Sequence, residues 1–504
     1  MSTTRTLDYD VIIVGSGAGG GTVAERLSPL CASGARIAVL EAGPHYTREH
    51  FDMREPNMLQ LFLDRGAVPS TSFDIAVTAA QCVGGSTSVY TGVTFRAPEG
   101  LIAGWSRDFG LPELSEQDVQ SRFARLEGEI NAHVPGRDYE NENNRVFRAG
   151  CEQLGLPVKQ FKLNIESCER CGFCNLGCPY GAKRGTLEVQ LPAATARGVE
   201  LIPNCRVTRV YPGGADAVIH DAPAGTHASP HGTGPLQLRA KHVIVAAGTL
   251  NSSALLLRSQ LPDLSPACGK YLTLHPALTS FARMRDPVRG FEGFPKLYYT
   301  DAFSESEHHY LETAFYFPFI TAKSLPGFGA ELKRFMRAYD HLACTIALVH
   351  DEPEEHNRIR VQGERNVLDY RLSPASREAL VASQRRAGEI YFAAGAEEYV
   401  SLLGTRFSIT RAADLPSAID DSALLPGKVV VSSAHPMGGC RMGKDPQTSV
   451  TNAFGEVHGS EGVYVADASL FPTSSKVNPY LTVMALAERV AERVGTRLRA
   501  PGSA

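Results

Sequence analysis

The chain has 504 residues, 43% of them apolar and 21% charged, with a formal net charge of −4. That length implies more than one domain, and that charge offers no electrostatic footprint for nucleic acid or an anionic membrane surface. No run of eighteen apolar residues supplies a membrane span, and the polar Met1–Asp10 stretch has no leader-like apolar region, so the expected location is cytoplasmic.

Tyr9–Val14 reads YDVIIV, a short β-branched run that predicts a buried parallel strand. It leads into Gly15-Ser16-Gly17-Ala18-Gly19-Gly20, which matches G-x-G-x-x-G. A helix is expected over Thr22–Ser28, ended by Pro29, then a strand over Arg36–Leu40 and an acid, Glu41. Gly15 suits the tight turn, Gly17 the approach of a pyrophosphate, and Gly20 the contact of helix and strand. The helix N-terminus offers free N–H groups and a positive dipole end to phosphate. Glu41 suits a ribose diol. In this order the parts define a dinucleotide site, without deciding between FAD and NAD.

Tyr46–Ala80 lacks clean periodicity, apart from a short helix expected at Met58–Leu63. A second glycine loop follows, Val83-Gly84-Gly85-Ser86, whose small residues let backbone lie against a flat or anionic group or form a plain loop. Leu114–Ile130 reads as a helix with Ser115 as N-cap. Next comes C-x2-C-x2-C-x3-C-P, formed by Cys168, Cys171, Cys174 and Cys178. The spacing matches the bacterial ferredoxin run and predicts an iron–sulfur cluster. Structural thiols and zinc remain alternatives, and Cys205 is a candidate remote ligand.

Val199–Val210 predicts a strand or hairpin, Pro223–Pro235 a loop, His242–Ala247 a buried strand ending at Gly248, and Ser252–Ser259 a helix. From Leu272 to Val431 aromatics increase and runs such as Thr345–His350 alternate, which predicts an antiparallel sheet. Glu305, Glu307, Asp351, Glu352, Glu354, Glu355, Glu397 and Glu398 dot this segment. They read as a solvated face or as a lining for a cationic substrate.

Near the C-terminus, Ser433–Cys440 is a small-residue loop displaying one imidazole, His435. The strand Gly462–Ala466 ends at Asp467. A helix is expected from Asn478 as N-cap and Pro479 at N1, to about Val494, with Gly495 as its stop.

Together these motifs resemble the glucose–methanol–choline (GMC) flavoprotein oxidoreductases over nearly the full length. The match rests on DYDVIIVGSGAGGG with Glu41, CVGGSTSVYTGVTFRAP, HVIVAAGTLNSSALLLRS, and AHPMGGCRMG followed by GVYVADASLFPTSSKVNPYLTVMALAER. The last pair is similar to that of cholesterol oxidases, and CERCGFCNLGCPYGAKRGTL to that of long-chain alcohol oxidases. The resemblance implies a mixed α/β fold. It implies a Rossmann-like FAD-binding domain over 1–275 and 432–504, with a Cys-rich insertion at about 160–185. A substrate domain on an antiparallel sheet then covers 276–431.

It implies FAD, held by Gly15, Gly17, Ala18, Gly20, Glu41, Val83, Gly84, Gly85, Ser86, Val207, Gly248, Asp467, Asn478 and Pro479. His435 and Asn478 become the catalytic pair: an imidazole to take the hydroxyl proton and an amide to hold the alkoxide. Tyr90 stands where many members carry Asn, and no His lies in Gly85–Thr91, so a covalent histidyl–flavin link is not expected. The expected reaction takes a small-molecule alcohol to the aldehyde with hydride transfer to flavin N5 and then to O2 or another acceptor. A primary hydroxyl of a sugar or aminoglycoside, in antibiotic biosynthesis, is the leading substrate. A sterol or long-chain alcohol oxidase, a hydroxynitrile-type lyase and an electron-transfer dehydrogenase subunit are the rivals.

Overall fold

The computed structural model describes residues 4–404, 406–429 and 431–500. Its first sheet is built around the predicted N-terminal unit. Strand Arg5–Val14 is followed by helix Ala18–Leu27 and strand Ile37–Leu40, with the two strands parallel (Val11↔Ile37 to Val14↔Leu40). Glu200–Ile202 extends the sheet in parallel beyond Ile37–Leu40. On the other side lies the long strand Gly234–Val245, parallel to Arg5–Val14. Its far edge serves two partners. The first half pairs antiparallel with Gly214–Ile219, and the last residues pair in parallel with Val463–Val465. Cys205–Tyr211 closes that edge as the hairpin partner of Gly214–Ile219.

The strand interiors Val11–Val14, Ile37–Leu40 and Val243–Val245 are apolar and buried on both faces, as a sheet covered on both sides requires. The C-terminal helix Tyr480–Arg499 packs on Ala18–Leu27, burying Leu486, Val490 and Val494 in the same core as Val11–Val14. This helix departs from expectation at both ends. It does not stop at Gly495, which lies against Leu27 (an added Cβ would sit 3.5 Å from Leu27 Cδ2), and it runs on to Arg499, with Arg497 paired to Glu456. Nor is Asn478 its N-cap. The helix begins at Tyr480 behind Pro479, and the Asn478 side chain is used elsewhere. Pro29 likewise does not end ordered structure, because it occupies the first turn of a 3₁₀ segment, Ser28–Ser33.

Among the described residues the second sheet has ten strands. Its centre is Ala277–Arg283, Leu342–Val349 and His309–Thr313, all antiparallel. Helix Pro374–Ala393 covers one face, started by Ser373, whose hydroxyl accepts the Ser376 N–H at 3.0 Å. Strands from outside 276–431 join this sheet: Ile75–Val77 pairs with Val431–Ser433, and Lys159–Gln160 with Tyr298–Thr300. The architecture is therefore the expected mixed α/β fold, with a dinucleotide-type sheet beside a large antiparallel sheet. Among the described residues no helix is long and apolar enough to cross a membrane.

One register places the reactive loops. Val431–Ser433 runs antiparallel to Ala277–Arg283 with Ser432 opposite Ala277. His275 precedes one strand and His435 follows the other. Antiparallel pairing therefore brings the two histidines side by side at the sheet end that faces the dinucleotide unit.

Candidate active site

A single cavity of about 1340 Å³ runs between the two sheets. It exceeds the roughly 300–1,000 Å³ of an ordinary ligand pocket, so a dinucleotide and a substrate both have room. At one end it is lined by Gly15–Gly19, Glu41, Val207 and Gly248, and at the other by His275, Lys296, His435 and Asn478.

The glycines divide into packing and opening. Gly15 has φ +101°, and a Cβ there would lie 2.3 Å from the Ala246 carbonyl oxygen. A Cβ on Gly20 would lie 2.0 Å from Gly15 O. Gly17 is different, since the nearest atom to its Cβ would be Gly85 Cα at 3.8 Å. The backbone of Gly17 and Ala18 lines the cavity, at the start of a helix that no side chain caps. Its first N–H groups thus form a cradle for phosphate.

Glu41 is 7% exposed and folds beneath this loop. Its Oε2 accepts from Ser16 N at 3.1 Å and Ser16 Oγ at 2.6 Å, and its Oε1 accepts from Gly43 N at 2.9 Å. Ser16 Oγ also accepts from Gly84 N at 3.0 Å, so one carboxylate ties both glycine loops together. Asp467 does the same further on: its Oδ2 accepts from Gly248 N at 2.9 Å and from the Ser252 hydroxyl, and its Oδ1 accepts from Ser469 N. Burial pushes both carboxyls up from the usual carboxylate range. Gly85, Ser86, Val207, Gly248, Asp467, Asn478 and Pro479 all reach the wall of the cavity. Val83, Gly84 and Gly20 do not and lie behind it; Val83 is 1% exposed, with its N–H given to Pro44 O. The donor set, an uncapped helix start, a buried acid at a strand end and paired glycine loops, fits FAD.

At the reactive end, His435 Nδ1 lies 3.0 Å from His275 Nδ1, with the rings near perpendicular at 88°. His275 Nε2 lies 2.9 Å from Ser474 Oγ. His435 Nε2 is therefore the nitrogen left free of these contacts. Desolvation in the cavity pushes His435 down to about 3, with the Lys296 ammonium adding to the effect, so the ring is neutral. Lys296 pairs with Glu312, which is wholly buried on the strand His309–Thr313. Across the site, Tyr310 OH donates to Asn478 Oδ1 at 3.0 Å. That leaves the Asn478 amide N–H₂ as the donor end. His275, Tyr310, Lys296, Glu312 and Ser474 were all missed by sequence reasoning. One signal was available for His275: the chain has two His-Pro dipeptides, His275-Pro276 and His435-Pro436.

The four-cysteine run does not support the predicted cluster. Cys168, Cys171, Cys174 and Cys178 line one separate cavity of about 20 Å³. That is about the room one water needs, and an iron–sulfur cube is far larger. Burial pushes the Cys168 and Cys171 thiols up, and Cys174 to about 12. Among the described residues no group of three or more His, Cys, Asp or Glu is arranged to hold a metal ion. The spacing gathers the cysteines, but packing closes the space between them. The Lys183 ammonium donates to Cys174 O at 2.6 Å, Ser88 O at 2.7 Å and Tyr90 O at 2.9 Å, and Phe173 stacks on Phe317 at 4.0 Å. Cys205 lines the main cavity instead.

A Rossmann-like sheet with a dinucleotide cradle, opening onto a neutral imidazole and an oriented amide, defines a nucleotide-cofactor oxidoreductase. Residues 58–277 and 341–487 match the two family models for GMC oxidoreductase. The chain is 31% identical over 98% of its length to an uncharacterized GMC-type oxidoreductase of Mycobacterium tuberculosis, of which it covers 76%. It is 29% identical over 98% of its length to a long-chain-alcohol oxidase of Arabidopsis thaliana, covering 68% of that protein. In fold it is similar to pyridoxine 4-oxidase from Mesorbium loti, with a TM-score of 0.70 at 20% identity over 96% of this chain and 99% of that one. The chain belongs to the GMC oxidoreductase family and is an FAD-dependent oxidoreductase acting on CH–OH donors.

Proposed function

We propose that the protein oxidises the primary hydroxyl of a predominantly apolar alcohol to the aldehyde, with His435 as the base and Asn478 as the oxyanion donor. FAD, when bound, supplies the acceptor for two electrons and the carbon-bound hydrogen. The chain's own residues handle the proton and the oxygen. His435 Nε2 carries a lone pair toward the cavity and takes the hydroxyl proton. The Asn478 amide, turned by Tyr310, donates to the oxygen as it gains negative charge. Burial in the cavity, with the Lys296 charge adding to it, keeps the imidazole unprotonated and ready.

The observation that carries the substrate class is the wall of the cavity. It includes Met58, Phe62, Leu63, Phe315, Ile320 and Leu325. The acid-rich segment is one of the two grounds for expecting a sugar or aminoglycoside, beside the family resemblance, and none of those eight acids lines the cavity. Glu307 pairs with Arg386, Glu355 with Lys270, Glu397 with Arg283, and Glu398 with Arg334. The charged side chains on the wall are of both signs, among them Lys323, Lys296 (paired with Glu312), Asp64 and Glu364, so the wall does not single out a cationic substrate.

The test is anaerobic bleaching of the bound flavin by a panel of alcohols. A long-chain primary alcohol should bleach it quickly and an aminoglycoside should not. Bleaching by the aminoglycoside alone would overturn the substrate class. Cleavage of a hydroxynitrile with no bleaching by any alcohol would overturn the reaction. Comparing reoxidation by air with reoxidation by an artificial acceptor separates an oxidase from a dehydrogenase.

A further inference from the structure

His435 is useful as a base only in one of its two neutral tautomers. The proton must sit on Nδ1 so that Nε2 presents a lone pair. The residue in contact with that Nδ1 is His275 Nδ1, at 3.0 Å. Two nitrogens at this distance share one proton, so one donates and the other accepts. His275 is wholly buried, and its other nitrogen lies 2.9 Å from Ser474 Oγ. That oxygen already accepts the Lys476 N–H at 3.1 Å and keeps a second lone pair.

Two arrangements satisfy these contacts. In the first, His275 Nε2–H donates to Ser474 Oγ, and His275 Nδ1 accepts from His435 Nδ1–H. His435 Nε2 then faces the cavity bare. In the second, Ser474 Oγ–H donates to His275 Nε2, and His275 Nδ1–H donates to His435 Nδ1. His435 Nε2 then carries the hydrogen and cannot take a second proton. We propose that His275 is the positioning residue of the reaction. It acts as the acceptor that holds His435 as its Nδ1–H tautomer, with Ser474 receiving the His275 Nε2–H.

Burial holds His275 far below the ordinary imidazole range, with His435 and His350 adding to it, so it stays neutral and keeps an acceptor nitrogen. The contact also fixes the His435 ring, whose plane stands at 88° to that of His275. The register that sets Ser432 opposite Ala277 fixes both residues on adjoining strand ends, which makes the contact a product of the sheet.

This inference rests on the reading of His435 as base, and the two are separable. The holoenzyme labelled with ¹⁵N-histidine reports each ring's tautomer, and His435→Ala identifies the signal. The expected spectrum has His435 protonated at Nδ1. In His275→Phe, which has no acceptor, that signature should be lost. Flavin reduction should then fall by on the order of 10²–10⁴, since a triad histidine in the wrong tautomer loses about 10⁴. His275→Asn keeps an oxygen acceptor near the Nδ1 position and should recover the signature and most of the rate. If His275→Phe does not fold, Ser474→Ala serves. It removes the His275 anchor and should cost on the order of tenfold, as for one lost hydrogen bond. A wild-type His435 carrying its proton on Nε2 would overturn the proposal. So would His275→Phe with the wild-type spectrum and rate while His435→Ala is slow. An unimpaired His435→Ala would instead overturn the assignment of the base.

Discussion

Replacing His435 with alanine tests the chemistry most directly. The structure offers few substitutes for the missing base. His275 stands behind the vacated ring, 5.1 Å away between centroids, and Lys296 is engaged with Glu312. A water in the space left by the imidazole would have to accept the proton. The expected loss in flavin reduction is on the order of 10²–10⁴, the range for a general base, or roughly 2.7–5.4 kcal/mol at about 1.36 kcal/mol per decade. FAD binding should survive, because Glu41, Ser16 and Asp467 lie on other elements. The pH profile adds a second criterion. Because His435 is pushed down to about 3, the wild-type ring is already neutral across the working range. Its reduction rate should be flat where an ordinary imidazole, with a pKa of about 6.5, would titrate. The variant's residual rate should rise with pH as hydroxide replaces the lost base. Anaerobic stopped-flow bleaching measures the step itself, free of reoxidation. Reduction in His435→Ala within about twofold of wild type would refute the assignment against that 10²–10⁴ expectation. A wild-type acid limb near about 6.5 would refute the account of the proton.

Asn478→Ala should slow the same step by on the order of 10²–10³, as for one missing oxyanion donor. Tyr310→Phe should cost on the order of tenfold, since it removes only the hydrogen bond of about 1 kcal/mol that turns the amide; equal losses in the two variants would contradict this division. Flavin should leave on acid precipitation, because no His lies in Gly85–Thr91, and yellow colour in the pellet would mean a covalent bond. Gly17→Ala should fold but retain less FAD, while Gly20→Ala should fold poorly, because its Cβ would meet Gly15 O at 2.0 Å; thermal melts with and without added FAD separate the two. His45, His309 and His350 are each pushed down to about 4, chiefly by burial. The unfolded chain, titrating near about 6.5, binds protons that the folded chain refuses, so stability should fall as pH drops from about 6.5 toward about 4. Denaturant midpoints at neutral and mildly acid pH should show this, and His309→Gln should shrink the difference.

Local rules carried much of the design into the sequence. The strand Arg5–Val14, its glycine turn and the acid Glu41 are consecutive, and each declares itself by residue type, so period and spacing expose the dinucleotide unit. His435 and Asn478 stood out because small residues surround the first and a proline and helix follow the second. Tertiary structure decided the rest. Asn478 looks like an N-cap from its neighbours alone, yet its carbonyl oxygen is taken by Tyr310, 168 residues away. His275 meets His435 across 160 residues because one strand pairing sets their loops together, and no local pattern reports such a register. Four of the acids that looked like a substrate lining, Glu307, Glu355, Glu397 and Glu398, are instead paired with Arg386, Lys270, Arg283 and Arg334. The cysteine run shows the converse limit: spacing brings four thiols to one cavity, and the packing of Lys183 and Phe173 decides how much space remains between them.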